Sequence, residues 1–365
     1  MKLLSVVGTR PQIIKAAPIQ RAIERWNRVA GATGIHAVVV DTGQHYDANL
    51  SGVMFDDLGL AAPGHRLDVG RQTGAAQLAR MLTGLDEVIA IETPDLVLVY
   101  GDTTSTLAGA LAARGRRVPL AHVEAGLRSF NPAMQEETNR VVADHLSDFR
   151  FCPTPTAVDN LRREGITSGV HLVDDVMEEA LRMFLPVARR RGQALGRLGL
   201  DAGGFVLATL HRAETVDVRA TLAGVVDGLS RLGHPVVWPC HPRTRARLDA
   251  FGLRLDAPIR LVEPLGYLDM LQLEDAAAAI ATDSGGVQRE AGWLGVPCLV
   301  LRDETEWLEM LDLGHLLTGT KADGIVAAFA RLPLERRTVP ASPGISASAR
   351  IVEVLAGARA ISARA

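Results

Sequence analysis

Residues Ala277–Glu290 read AAAIATDSGGVQRE: an apolar run, a polar turn holding two glycines, then a stretch patterned as a helix. A short apolar strand feeding a helix through such a turn is the repeating unit of parallel α/β sheets. Working outward from it, apolar runs alternate with longer helical patterns along the whole chain. The first series comprises Leu3–Val7, His36–Val40, Leu96–Tyr100, Pro119–Val123 and Phe149–Cys152. A second comprises Phe205–Leu210, Val236–Trp238, Ile259–Val262, Ala277–Ala281 and Cys298–Leu301. Two series predict an α/β protein of two doubly wound, Rossmann-like domains, over residues 1–175 and 176–340. The boundary is expected in the helical stretch between Val173 and Gly199, where Arg189, Arg190 and Arg191 read as a solvated helix face. Beyond Pro340 and Pro343 an Ala-rich helical tail, residues 341–365, is expected to pack back on the first domain.

Composition bounds the function. A chain of 365 residues with 47% hydrophobic content can bury two cores, and the mean hydropathy is +0.13. A net charge of −3 gives no global attraction for a polyanion, so nucleic acid is not expected as a partner. Cys152, Cys240 and Cys298 are far apart and form no CxxC pair. Structural zinc and disulfides are therefore not expected, and a reduced, cytoplasmic protein is. The opening MKLLSVVGTR reads as a buried strand rather than a signal peptide, and no apolar stretch approaches the roughly 20 residues of a membrane span.

Ligands of open α/β sheets sit beyond the carboxyl ends of the strands, so the strand-to-helix turns carry the chemistry. Gly8-Thr9-Arg10-Pro11 opens a helix that also holds Lys15. Taken alone it is either a helix start with two surface cations or a grip on a ligand. Gly101-Asp102-Thr103-Thr104-Ser105-Thr106 reads alone as a helix cap. Glu124 ends an apolar strand, where a carboxylate is costly unless partnered, and this favours function. The acids of Gln135-Glu136-Glu137 suit the positive end of a helix. In the second domain His211 and His241 stand at successive strand ends, each beside an arginine, which points to an anion site.

The Ser284-Gly285-Gly286 turn is the most specific of these segments. Missing side chains let a diphosphate approach the backbone, Ser284 adds a hydroxyl, and the helix start offers free N–H donors. Glu290 follows one and a half turns later, within reach of two ribose hydroxyls.

Six segments in this order, GTRPQIIKAAP (Gly8–Pro18), GDTTST (Gly101–Thr106), HVEAGLRS (His122–Ser129), QEETNR (Gln135–Arg140), TLHRAET (Thr209–Thr215) and TDSGGVQRE (Thr282–Glu290), closely resemble the non-hydrolysing UDP-N-acetylglucosamine 2-epimerase family. The resemblance covers roughly residues 1–330. It implies a GT-B-like fold, two Rossmann-like domains facing across a cleft that holds the active site. It implies that Arg10, Lys15, Asp102, Glu124 and His211 line the substrate site, and that Glu136 is the first acid of the family's EE pair. Ser284, Gly285, Gly286 and Glu290 would hold the diphosphate and ribose, and backbone groups of the segment Leu265–Met270 would read uracil.

The implied reaction interconverts UDP-GlcNAc and UDP-ManNAc, or a related UDP-HexNAc pair, by eliminating UDP to a 2-acetamidoglucal and adding it back. Catalysis falls to Asp102, Glu124, Glu136 and His211. No GxGxxG occurs, so oxidation by a bound nicotinamide is not expected; neither is a metal or any other cofactor. A cytoplasmic homodimer supplying cell-envelope polysaccharide is the implied setting. The chain departs from the pattern at Glu304–Glu309, ETEWLE, where Trp307 replaces an arginine that assists substrate binding in many members. One cation is thereby lost and a stacking surface expected. Gln44, His45 and Arg71 match parts of the region where bacterial members bind an activating second UDP-GlcNAc, whereas Asp47 and its successors diverge. A hydrolysing relative, releasing ManNAc and UDP, would share almost every residue named, and a GT-B glycosyltransferase would share the glycine turn.

Overall fold

The computed structural model describes residues 1–31, 34–44, 54–67, 69, 72–255, 257–305, 307–338 and 346–362. His45, Asp47, Arg71, Pro340 and Pro343 lie outside them. By its internal packing the chain parts into two compact units, Met1–Met183 with Pro343–Ala365, and Phe184–Ser342. The division falls within the helix Val176–Arg191, later than the 175/176 boundary expected from the sequence.

The first unit is built on seven strands: β1 (Lys2–Val7), β2 (His36–Asp41), β3 (His65–Arg66), β4 (Leu96–Tyr100), β5 (Leu120–Val123), β6 (Phe149–Cys152) and β7 (Val170–Leu172). They lie in the order 3-2-1-4-5-6-7, every pair parallel. Parallel strands need crossover helices on both faces, and β4 is accordingly buried at all five positions. Leu4, Val6, Val97 and Val99 pack beneath the crossover helices in the core. The order of succession reverses between β1 and β4. Loops leaving those strands diverge there and open a crevice at their carboxyl ends.

The second unit repeats the plan with β8 (Val206–Thr209), β9 (Val236–Pro239), β10 (Ile259–Val262), β11 (Ala279–Thr282), β12 (Cys298–Val300) and β13 (Leu316–Leu317). Their order is 10-9-8-11-12-13, again parallel throughout, with the reversal between β8 and β11. Strands β3, β7 and β13 have no counterpart in the sequence reading. Each is an edge strand of two or three residues, too short to show a pattern. No helix among the described residues is long and apolar enough to cross a membrane.

The helix Ala347–Ser362 packs against the helix Arg10–Ala30 of the first unit. Its Ile351, Val352 and Leu355 are fully buried. Ser348 donates from its N–H and Oγ to the two carboxylate oxygens of Glu179, at 2.8 and 2.7 Å. A chain ending at residue 345 loses the burial of those three side chains, roughly 5 kcal/mol in all. Thermal melts should show Tm lower by about 10 °C.

Candidate active site

At the carboxyl end of β1 the chain turns into the helix Arg10–Ala30, with Pro11 in its first turn and the half-buried Arg10 at its start. Gln12 ties this turn to its neighbour. Its Oε1 accepts from the Thr9 N–H at 3.2 Å, and its Nε2 donates to the Tyr100 carbonyl at 2.9 Å and to Thr106 Oγ1 at 3.0 Å. One buried side chain thus spans the switch point between β1 and β4.

Lys15 and Glu124 form a buried ion pair from opposite sides of this crevice. The lysine is thereby engaged inside the protein rather than projecting freely. Glu124 takes φ +71 and Gly101 φ +59. A Cβ added to Gly101 would lie 3.0 Å from both Glu124 Oε2 and Lys15 Nζ, so the glycine is required by the backbone and by the pair together.

Asp102 follows Gly101 and is held from the helix Gln135–Leu146. Asn139 Nδ2 donates to the Asp102 carbonyl at 2.8 Å, while Arg140 donates through Nε and Nη2 to Asp102 Oδ2 at 3.0 and 2.6 Å. Both arginine bonds go to Oδ2, so Oδ1 takes no part in the pair. Arg140 Nη1 donates in turn to Glu137 Oε2 at 2.8 Å. The two adjacent acids divide accordingly. Glu137 is buried, accepting also from the N–H groups of Ser129 (2.8 Å) and Phe130 (2.9 Å), whereas Glu136 is exposed.

Behind these turns lies a fully buried set. His122 Nε2 donates to the Gly101 carbonyl at 2.7 Å, and Nδ1 lies 2.8 Å from Asp144 Oδ1. Asp144 Oδ2 accepts from Arg128 Nη1 (2.7 Å) and the Gly126 N–H (3.0 Å). This set fixes the carbonyl that precedes Asp102.

In the second unit Asp283, wholly buried after β11, accepts from the N–H groups of His211 (3.1 Å) and Arg212 (3.0 Å), and its Oδ1 lies 3.2 Å from His211 Nδ1. That contact across the β8/β11 switch point orients an imidazole whose side chain is 57% exposed. Ser284 caps the helix Gly285–Leu294, its Oγ accepting from the Val287 N–H at 3.4 Å. The bond uses a lone pair and leaves the hydroxyl proton to donate. A Cβ on Gly286 would find only Ser284 Oγ, at 3.7 Å. The protein's own packing therefore places no demand for glycine there. Glu290 is buried and accepts from Tyr267 Oη at 3.3 Å. The Leu265 and Met270 side chains belong to the core, leaving backbone at the start of the helix Tyr267–Ala276. His241 caps the helix Pro242–Ala250, and burial, reinforced by His211 and Arg243, pushes its imidazole down.

Trp307 offers no open stacking surface. It is 5% exposed, and the Arg289 guanidinium lies 3.9 Å from its ring centroid. Gln44 Oε1 accepts from the N–H and Oγ of Ser105, at 3.0 and 2.6 Å, steadying the start of the helix Thr104–Gly115.

Gln12, His122, Asn139, Arg140, Asp144 and Asp283 act as supports that, His122 apart, their local sequence does not mark. His122 carried the one available signal, a polar residue inside the otherwise apolar strand Leu120–Val123. Most partners of the others are distant in sequence, such as Tyr100 for Gln12, Asp102 for Arg140 and His211 for Asp283.

Residues 27–356 match the family model described as UDP-N-acetylglucosamine 2-epimerase. The chain is 43% identical over 366 residues to the UDP-2,3-diacetamido-2,3-dideoxy-D-glucuronate 2-epimerase of Pseudomonas aeruginosa, covering 98% of this chain and 99% of that one. The crystal structure of Methanocaldococcus jannaschii UDP-GlcNAc 2-epimerase in complex with UDP-GlcNAc and UDP superposes with TM-score 0.89 at 38% identity, over 97% of this chain and 99% of that one. Phytolacca americana UGT2, at 12% identity and TM-score 0.52, covers 90% of this chain and 89% of that one and shares the fold alone. The architecture is GT-B-like, with two doubly wound domains.

Three carboxyls of these clusters, Glu137, Asp144 and Asp283, sit below their usual range. Burial alone would raise each, but it is outweighed by bonds from Ser129, Phe130 and Arg140 at Glu137, by His122 and Arg128 at Asp144, and by His211 and Arg212 at Asp283. A depressed native pKa contributes stability that is complete above the unfolded value of about 4 and is lost as pH falls through the native one. Melts between pH 7 and 3 should therefore show Tm dropping below about pH 4, and Glu137→Gln should flatten that acid limb while lowering Tm at pH 7.

Proposed function

This chain belongs to the UDP-N-acetylglucosamine 2-epimerase family, and we propose that it inverts C2 of a UDP-activated 2-acetamido sugar by eliminating and re-adding UDP. The observation that carries the reading is the charged cluster at the carboxyl ends of β1, β4 and β5. There Asp102 and Glu124 are each held by a cation, Arg140 and Lys15, and Glu136 stands exposed on the adjacent helix. Carboxylates so held suit repeated proton transfer in a crevice at strand ends.

The C2 proton is not beside a carbonyl, so it becomes acidic only as the C1–O bond breaks. In the proposed step a base takes the proton, the C–H electron pair forms the C1–C2 double bond, and the C1–O pair leaves on the UDP oxygen. Protonation of C2 on the opposite face and return of the UDP oxygen to C1 give the epimer, with no net oxidation. Asp102 and Glu136 are assigned to the two faces of C2, and Glu124, buried beside Lys15, to orientation of the crevice. His211 and Arg10 stabilise the leaving diphosphate. Ser284, Gly285 and Gly286 receive it at a helix N-terminus, and Glu290 takes the ribose. The glycine at 286, which the packing does not require, supports that assignment. Backbone at Leu265–Met270 reads the base.

The same reading sets the protein in the cytoplasm as a homodimer, supplying activated sugar for cell-envelope polysaccharide. The free, buried thiols of Cys152, Cys240 and Cys298 accord with a reducing compartment. The 43% identical relative makes a diacetamido uronate the second sugar to try beside UDP-GlcNAc.

Turnover of either sugar in heavy water should place deuterium at C2 of product and of recovered substrate, read by NMR. Epimer that retains its original proton overturns the mechanism, and free UDP formed in proportion to free sugar identifies the hydrolytic outcome.

Asp102→Asn should slow epimerisation by about 100-fold or more and leave UDP binding nearly unchanged. Gly286→Val should weaken UDP binding itself, because its side chain fills the space given to the diphosphate. Calorimetric titration of UDP separates the two, and a folded Gly286→Val protein with wild-type affinity removes the nucleotide from this turn.

A further inference from the structure

Phe130 is 70% exposed and is the one aromatic among the exposed large hydrophobic side chains of the described residues. Its backbone takes φ +57, the left-handed region that a bulky side chain enters only under constraint. The constraint is visible. Glu137 accepts from the Phe130 N–H at 2.9 Å through Oε1, and from the Ser129 N–H and Oγ at 2.8 and 2.9 Å through Oε2. Arg140 holds Glu137 through Nη1 at 2.8 Å and Asp102 through Nε and Nη2. The strained backbone that carries this exposed ring is therefore linked through two side chains to the carboxylate assigned to C2. The other strained residue of this segment, Glu124, belongs to the same cluster. Neither core packing nor intrinsic backbone preference accounts for a phenylalanine at position 130. A ligand does.

Resting on the reading above, we propose that Phe130 is a specificity-determining residue whose ring packs against the acetamido methyl and adjacent C–H face of the bound sugar. These are the apolar parts of an otherwise polar substrate, and an aromatic face is the side chain suited to them. The contact is made to the sugar and not to the nucleotide, so UDP alone does not feel it. Because the ring is held in strain for this contact, its removal relaxes the backbone as it weakens recognition.

The test combines calorimetry, kinetics and melting on Phe130→Gly and Phe130→Tyr. Phe130→Gly should bind UDP-GlcNAc, or the diacetamido uronate, about tenfold more weakly and raise KM by a similar factor, as loss of one packed ring implies. UDP affinity should be unchanged, Tm equal or higher, and Phe130→Tyr should restore wild-type affinity and KM. Wild-type affinity for the UDP-sugar in Phe130→Gly, an equal loss of UDP affinity, or a fall in Tm each overturns the assignment. A wild-type protein that binds the UDP-sugar without epimerising it refutes the proposed reaction instead, and the binding comparison still decides the role of Phe130.

Discussion

The guanidinium of Arg140 is the constraint around which the first unit's crevice is organised. Its donors bind two carboxylates of different character: Asp102, partly open to solvent at a strand end, and Glu137, buried under the Ser129–Phe130 turn. A planar fork of fixed geometry sets both acids in one frame, which a lysine ammonium cannot do. Taking such groups out of water is costly, and removal of one partner leaves the other buried and uncompensated. The arrangement therefore persists only as a whole. Asp102 is fixed at both its carbonyl and its carboxylate, and Phe130 is held in a conformation it would not adopt alone.

A second buried set supports the same turn from behind. His122 bonds the Gly101 carbonyl, Asp144 faces His122, and Arg128 bridges Asp144 to Glu164. Gly101 lets Lys15 and Glu124 meet across the space that a side chain would fill. The second unit spends fewer residues on its turn. There one buried carboxylate, Asp283, gathers two backbone N–H groups and the His211 ring, and Thr209 and Thr282 join their hydroxyls at 2.6 Å across β8 and β11. The difference fits the tasks assigned to the two units. Proton transfer requires acids held at defined positions, while a diphosphate is received by backbone donors that the helix start already orients.

Much of the fold was legible because buried parallel strands are apolar along their length. The apolar runs Leu96–Tyr100, Phe149–Cys152 and Ile259–Val262 coincide with strands to the residue. The edge strands β3, β7 and β13 were not legible, since two or three residues carry no period. The charged turns were legible as strand-end signals, but their internal division was not. Glu136 and Glu137 are adjacent and chemically alike, and only the approach of Ser129, Phe130 and Arg140 makes one of them structural. From sequence Trp307 is a candidate stacking surface, whereas Arg289, brought beside it by the helix Gly285–Leu294, already covers a face.

The sequence by itself determined the class of fold, the order of the six segments that identify the family, and which residue types stand at the strand ends. Those are local properties, set by hydrophobic period and by the side chains a turn can accept. Only the tertiary structure decided which charges meet: Lys15 with Glu124, Arg140 with Asp102 and Glu137, His122 with Asp144, and His211 with Asp283. Most of these partners are separated by tens of residues. They come together because a parallel sheet carries its strand-to-helix turns to one edge, and the reversal of strand order within each unit sets Lys15 opposite Glu124 in the first and His211 opposite Asp283 in the second.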